Sequence, residues 1–154
     1  MRAVALIVHD ALEALKIPNF AKTTGSRGIH VYVPIVRGPE QKQVWTFAKK
    51  FAQTLERLHP DLVTAEYRVA KRPKGHVLVD YNQNAWGRTL ASVYSVRPKP
   101  RATVSTPVTW QEIKRGVETE EFRIDNVPAR LQKLGDLWKP LEQARQRVNL
   151  DQFL

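Results

Sequence analysis

The run Lys22-Thr23-Thr24-Gly25-Ser26-Arg27-Gly28-Ile29-His30-Val31-Tyr32-Val33-Pro34 constrains this chain more than any other stretch. It reads as a short loop feeding a strand. Gly25 and Gly28 let the backbone reach positive φ and approach a ligand closely. Thr24 and Ser26 bring hydroxyls, Arg27 a cation and His30 an imidazole. Consecutive backbone N–H groups in such a loop can form an anion-binding nest. From Ile29 the pattern alternates, with Ile29, Val31, Val33 and Ile35 on one face and His30, Tyr32 and Pro34 on the other. His30 therefore points away from the aliphatic face, towards whatever the loop holds. A plain hairpin loop with an incidental histidine has the same spacing, and short glycine motifs are unspecific.

A second alternating stretch is His76-Val77-Leu78-Val79-Asp80-Tyr81-Asn82-Gln83-Asn84. Val77, Val79 and Tyr81 share one face; His76, Leu78 and Asp80 share the other. An Asp at the end of an apolar strand can present a metal ligand on a rigid element. It can equally cap the turn that follows.

The rest of the chain supplies a scaffold. Residues 3 to 16 predict a helix with Val4, Ile7, Val8, Ala11, Leu12 and Leu15 on its apolar face, stopped by Ile17-Pro18. Phe20 to Lys22 predicts a short strand into the loop. Pro39 suits the first turn of a second helix running to about Leu58. Its buried stripe is Val44, Phe47, Ala48, Phe51, Leu55 and Leu58, and Lys42, Lys49, Lys50 and Arg57 lie off it as a solvated face or a DNA footprint. Leu62 to Tyr67 predicts a strand. The basic turn 70–75 either touches a phosphate backbone or is simply solvated. Leu90 to Val96 predicts a strand leading to Arg97-Pro98-Lys99-Pro100-Arg101, where two prolines hold three cations on a stiff, extended backbone. Thr109-Trp110-Gln111-Glu112 fits a capping box opening a helix to Gly116. Asp125-Asn126 starts another helix closed by Gly135, and 136–153 reads as a terminal helix. Trp110, Phe122 and Trp138 sit in periodic apolar contexts and are expected in the core rather than as base-stacking platforms. Strands and helices interleave without a regular βαβ rhythm. The expected fold is α+β: a mixed or antiparallel sheet with helices packed mainly on one face.

The 154 residues are one domain's worth of chain, so a single domain over 1–154 is expected. Hydrophobic residues make up 42%, which argues against disorder. The net charge of +10 favours an anionic partner, with nucleic acid first. The absence of Cys excludes disulfides and thiolate metal sites. The N-terminus has no secretory pattern, and no apolar stretch approaches the roughly 20 residues of a membrane span. A cytoplasmic location and no membrane partner are expected.

The motifs T-G-S-R-G-I-H-V-Y-V-P and V-D-Y-N-Q-N-A-W-G-R-T-L-A-S-V-Y-S-V-R-P resemble the polymerase domain of bacterial ligase D, within the archaeo-eukaryotic primase superfamily. The resemblance runs from about Lys22 to Trp138. It implies a nucleotidyltransferase of DNA double-strand-break repair by end joining, in a bacterial cytoplasm, acting on DNA ends or a template-primer with nucleoside triphosphates. It implies Mn²⁺ or Mg²⁺, held by three acidic residues. The third corresponds to Asp80. The other two form an Asp-x-Asp motif before the first helix, and no such motif occurs in this sequence. By resemblance Met1 falls directly inside that helix, so the chain is expected to be the C-terminal part of the polymerase domain and incomplete alone.

The family's Ser/His pair corresponds to Thr24 and His30, and with Arg27 it should contact nucleotide phosphates. Ser26 and Gly28 belong to the same loop, and Gln83 sits near the nucleotide. Arg97 and Lys99 match two triphosphate-binding basic residues. The second is usually Arg, and Lys lacks its planar fork. Asp80 and His30 are the expected catalytic residues. A partner chain supplying the missing carboxylates, or a homo-oligomer covering sheet edges, would complete the picture. The alternative is a non-catalytic module that binds DNA ends or nucleotides.

Overall fold

The structure, a computed structural model, describes all 154 residues. The chain divides into two compact units, Met1–Pro34 with Ala91–Val148, and Ile35–Leu90 with Asn149–Leu154. The architecture is α+β with an antiparallel sheet, as the interleaved pattern predicts.

In the first unit α1 (Arg2–Ala14) precedes β1 (Phe20–Thr23) and β2 (Ile29–Tyr32). Val4, Ala5 and Leu12 bury the inner face of α1. Leu15, expected on that face, is exposed, because the helix ends at Ala14 and Lys16 turns the chain at φ +57°. β1 is the middle strand of an antiparallel sheet ordered β2-β1-β5, with β5 at Pro107–Val108. The β1–β2 register pairs Thr23 with Ile29 and Lys22 with His30. Cross-strand partners project to the same face, so this register sets Lys22 beside His30. The core gathers Ala21, Val104, Val108, Ile113, Phe122 and Val127. Phe122 and Trp138 are buried and Trp110 is half-buried, stacked on His9 at 4.1 Å between centroids, so the three rings are structural.

The Thr109 capping box forms as read. Thr109 Oγ1 accepts the Glu112 N–H at 3.1 Å, and Glu112 Oε2 accepts the Thr109 N–H at 2.8 Å. It opens α3 (Trp110–Arg115), which Gly116 closes at φ +98°. Arg130, on α4 (Val127–Leu134), grips the same carboxylate with Nη1 on Oε1 at 2.6 Å and Nη2 on Oε2 at 2.8 Å. Burial would raise the Glu112 carboxyl, but the Arg130 and Thr109 hydrogen bonds more than offset it and hold it below the usual range. A carboxyl depressed in the folded state stabilises above its unfolded pKa, and that stability is lost as pH falls through the folded value. Glu112→Gln is therefore expected to cost about 1–3 kcal/mol at pH 7 and to flatten the acid limb of stability. Urea unfolding at pH 7 and pH 3 measures both effects.

Three further expectations fail. Residues 90–96 form no regular strand, because Tyr94 takes φ +63°; only an isolated bridge pairs Val96 with Val104. The 97–101 segment is not extended. Lys99 N–H donates to Arg97 O at 2.7 Å and Ala102 N–H to Lys99 O at 2.8 Å, folding it into consecutive turns. The terminal helix is absent. α5 spans only Lys139–Glu142, and 3-10 turns follow at Ala144–Gln146 and Leu150–Phe153. The Val148 N–H donates to Pro34 O at 2.9 Å instead of continuing a helical ladder.

In the second unit α2 spans Gln41–Leu58. Glu40, not Pro39, opens it, in a capping box with Gln43. Ala52 and Leu55 are buried, while Leu58 at the last turn is 67% exposed rather than part of the stripe. β3 (Val63–Thr64) and β4 (Val77–Leu78) form a short parallel pair. The strand expected over 62–67 shrinks to these two residues because Glu56 on α2 intervenes: its Oε1 accepts from Thr64 Oγ1 and from Ala65 N–H, each at 3.0 Å. The second alternating stretch leaves the strand after Leu78 and enters a 3-10 turn at Tyr81–Asn84. No helix is long and apolar enough to cross a membrane.

Candidate functional site

Most of the motif residues lie in the first unit. The loop between β1 and β2 is closed by the Thr24 N–H donating to Gly28 O at 2.9 Å. Thr24 Oγ1 accepts the N–H groups of Ser26 and Gly28, each at 3.1 Å. These two N–H groups are turned inward, so the expected backbone nest is not built from them. The hydroxyl that collects them still has its own hydrogen to donate.

Arg97 is fastened to the loop. Its Nη1 donates to Thr24 O at 2.9 Å, and its stem lies over Gly25. A Cβ at Gly25 would stand 2.6 Å from Arg97 Cγ, 3.1 Å from Ser105 N and 3.2 Å from Val104 C, and Gly25 sits at φ +68°. Glycine is required there on both counts. Thr103 Oγ1 donates to Gly25 O and fixes the loop from below. Lys99 and Arg27 are exposed, Arg27 in the loop itself and Lys99 in the turn carrying Arg97.

Beneath the loop lies Lys22, the first residue of the motif. It has no exposed surface. Its Nζ meets Ala91 O at 2.9 Å, Ser105 Oγ at 2.6 Å and His30 Nδ1 at 3.2 Å. The Tyr32 ring lies 5.7 Å from it. Burial first, and the Arg97 charge second, lower the Lys22 pKa to about 8. Counting strand positions back from His30 across the loop would have found it. The ion pairs that lysines and arginines make are Arg2–Glu118, Arg68–Glu66, Arg123–Asp125 and Arg130–Glu112. None involves Lys22, Arg27, Arg97 or Lys99. The loop thus gathers cations without a carboxylate to neutralise them.

Asp80 and Gln83 lie in the second unit. Asp80 caps the 3-10 turn: Oδ1 accepts the Asn82 N–H at 3.0 Å and Oδ2 accepts from Gln83 Nε2 at 3.1 Å. The capping role left open by the sequence is therefore real. α2 holds this turn through Trp45, whose Nε1 donates to Asn82 Oδ1 at 3.0 Å and whose ring meets Tyr81 edge-on at 5.6 Å. Each carboxylate oxygen retains accepting capacity beyond one hydrogen bond. However, no group of three or more His, Cys, Asp or Glu residues is arranged to hold a metal ion. The chain's own donors do not fit a two-metal centre, which draws on several carboxylates.

A half-buried loop that gathers cations beside an antiparallel sheet marks the first unit of this α+β protein. The chain belongs to the LigD primase-polymerase domain family: the model described as "LigD, primase-polymerase domain" matches residues 1–138. It is 35% identical over 139 residues to the multifunctional non-homologous end joining protein LigD of Mycolicibacterium smegmatis, covering 90% of this chain and 18% of that protein. It is 32% identical over 140 residues to the LigD of Pseudomonas aeruginosa, covering 16% of it. The bifunctional LigD of Bacillus subtilis shares 31% over 127 residues, or 20% of its length. Among solved structures it resembles the polymerase domain of Mycobacterium tuberculosis ligase D in complex with DNA, with a TM-score of 0.84 and 33% identity. That match covers 91% of this chain and 48% of the other. The chain thus spans about a fifth of its curated relatives and about half of the solved polymerase domain.

Proposed function

We propose that this chain is the nucleotide-binding part of a ligase-D-type polymerase that adds nucleotides at DNA ends during end joining. The observation that carries the reading is the cation set around Thr24: Lys22, Arg27, Arg97 and Lys99 have no acid partner within the chain. A triphosphate supplies that missing charge. Arg97, already fastened to Thr24 O, neutralises phosphate from a fixed position. Lys99 adds an exposed charge two residues on, without the bidentate geometry of arginine. The Thr24 hydroxyl is free to donate, and His30 stands on the adjacent strand. Catalysis of phosphoryl and nucleotidyl transfer rests largely on such positioning and charge neutralisation. A net charge of +10 favours DNA as the second partner, and the solved relative is a DNA complex.

Divalent metal, Mn²⁺ or Mg²⁺, is the cofactor the family resemblance implies. It would neutralise charge on the reacting phosphates. Within this reading Asp80 is one ligand, and the other carboxylates come from outside these 154 residues, on another segment or a partner chain. The second reading, a non-catalytic DNA-end or nucleotide-binding module, draws support from Asp80 serving as a turn cap.

Primer extension separates the two. The chain is combined with a polypeptide carrying the Asp-x-Asp strand of a relative, on a DNA end with ribonucleoside triphosphates and Mn²⁺. Incorporation by the mixture, reduced at least about 100-fold by Asp80→Ala, is the expected result. No incorporation by any such mixture, with nucleotide binding intact, would favour the non-catalytic module.

A further inference from the structure

We propose that Lys22 is a positioning residue that fixes the neutral His30 imidazole as its Nε2–H tautomer, with Nδ1 held as an acceptor. Ser105 Oγ has one hydrogen and donates it to Thr23 O at 2.8 Å. At its 2.6 Å contact with Lys22 Nζ, Ser105 Oγ must therefore accept. Ala91 O, a carbonyl, also accepts from Nζ at 2.9 Å. Two of the three ammonium hydrogens are thus committed. The third contact is His30 Nδ1 at 3.2 Å. The ammonium has three donors and no acceptor, so Nδ1 must offer its lone pair, and the ring proton sits on Nε2.

The consequence is functional and rests on the nucleotide reading above. An Nε2–H imidazole donates a hydrogen bond to a phosphate oxygen from its far nitrogen. The opposite tautomer would present a lone pair there and repel the same oxygen. The arrangement is expensive to build, since it buries an ammonium completely without a carboxylate. Three well-aimed acceptors and the Tyr32 ring face, 5.7 Å away, are what compensate it. The charged and titratable groups facing Lys22 are His30 and Tyr32 from β2 and Arg97 from the following turns. None is an acid.

The same count predicts a switch. When Lys22 loses a proton to solvent, its two remaining hydrogens stay on Ala91 O and Ser105 Oγ. Its new lone pair then faces Nδ1. The imidazole gives up its Nε2 proton and takes one up on Nδ1, which now donates to Nζ. The net change is one proton lost from the pair. Burial and Arg97 together bring the Lys22 pKa to about 8, so the flip falls in a pH range that is easily reached.

The test is a long-range proton–nitrogen NMR correlation of the histidine rings in the full chain, without nucleotide. His30→Gln assigns the signals. At pH 7 the wild type is expected to show His30 Nδ1 unprotonated and Nε2 protonated, and the pattern should invert with a midpoint near pH 8. Lys22→Met should weaken the pH 7 preference, and Lys22→Arg, which keeps a donor, should restore it. A purely structural lysine would leave the tautomer unchanged in all three proteins. His30 found as Nδ1–H at pH 7, or a tautomer indifferent both to pH 7–9 and to Lys22→Met, would overturn the proposal. The wild-type titration alone decides the matter if Lys22→Met fails to fold. Triphosphate affinity unchanged by His30→Ala would instead overturn the nucleotide reading, because the tautomer is measured without nucleotide.

Discussion

Gly25→Ala is expected to destabilise the first unit by about 2–5 kcal/mol. Left-handed φ costs an L-residue roughly 1–2 kcal/mol, and the φ here is +68°. The new methyl adds overpacking, typically about 1–3 kcal/mol. Two of its three contacts are backbone atoms of Val104 and Ser105, at 3.2 and 3.1 Å, which cannot swing aside. The third is Arg97 Cγ at 2.6 Å. Arg97 can move, but only by leaving Thr24 O, so the substitution also disturbs the proposed anion site. For a chain of this size the loss corresponds to a fall in Tm of roughly 4–20 °C. Gly28→Ala should be milder. Gly28 is not at positive φ, and its nearest neighbour is the Thr24 methyl at 3.2 Å. Gly38→Ala, with nothing within 4 Å, should leave Tm nearly unchanged. Thermal melts of the three variants test this ranking, and equal melting temperatures would contradict it.

Arg97→Ala is expected to weaken triphosphate binding by about 10–100-fold. A charge-assisted hydrogen bond contributes roughly 1.5–3 kcal/mol, and here the guanidinium is held in place before ligand arrives. Arg97→Lys should recover the charge but not the fork, leaving an intermediate affinity. Lys99→Ala should cost less than Arg97→Ala, because Lys99 is exposed and screened by solvent. Removing Arg97 also removes a cation that lowers the Lys22 pKa. The His30 tautomer midpoint should therefore move to higher pH in Arg97→Ala. That direction is a second, independent reading of the same substitution.

The loop and the strand it feeds were legible because glycines, hydroxyls and alternation act locally. Thr24, Gly25, Gly28 and His30 could be placed by spacing alone, and the Thr109 capping box by its two partners. The long second motif carried the family. What stayed hidden depends on contacts between distant segments. The 97–101 run looked stiff and extended from its prolines, yet Lys99 and Ala102 find carbonyls within the run itself and fold it into turns. The terminal helix failed because Val148 bonds to Pro34, over a hundred residues away. Lys22 carries no such signal in the sequence, because a lysine at a loop entrance usually reaches solvent. Only the β1–β2 register and the Ser105 hydroxyl reveal that it is buried against His30.

The most direct measurement is isothermal titration of the chain with a ribonucleoside triphosphate and Mn²⁺, comparing two doubly substituted variants of equal charge. One is Arg97→Ala/Lys99→Ala at the loop; the other is Lys50→Ala/Arg57→Ala on the exposed face of α2. Saturable single-site binding that disappears in the first variant and persists in the second is the predicted result. Equal binding by both variants would mean that triphosphate senses only a basic surface, and would contradict a site built around Thr24 and His30.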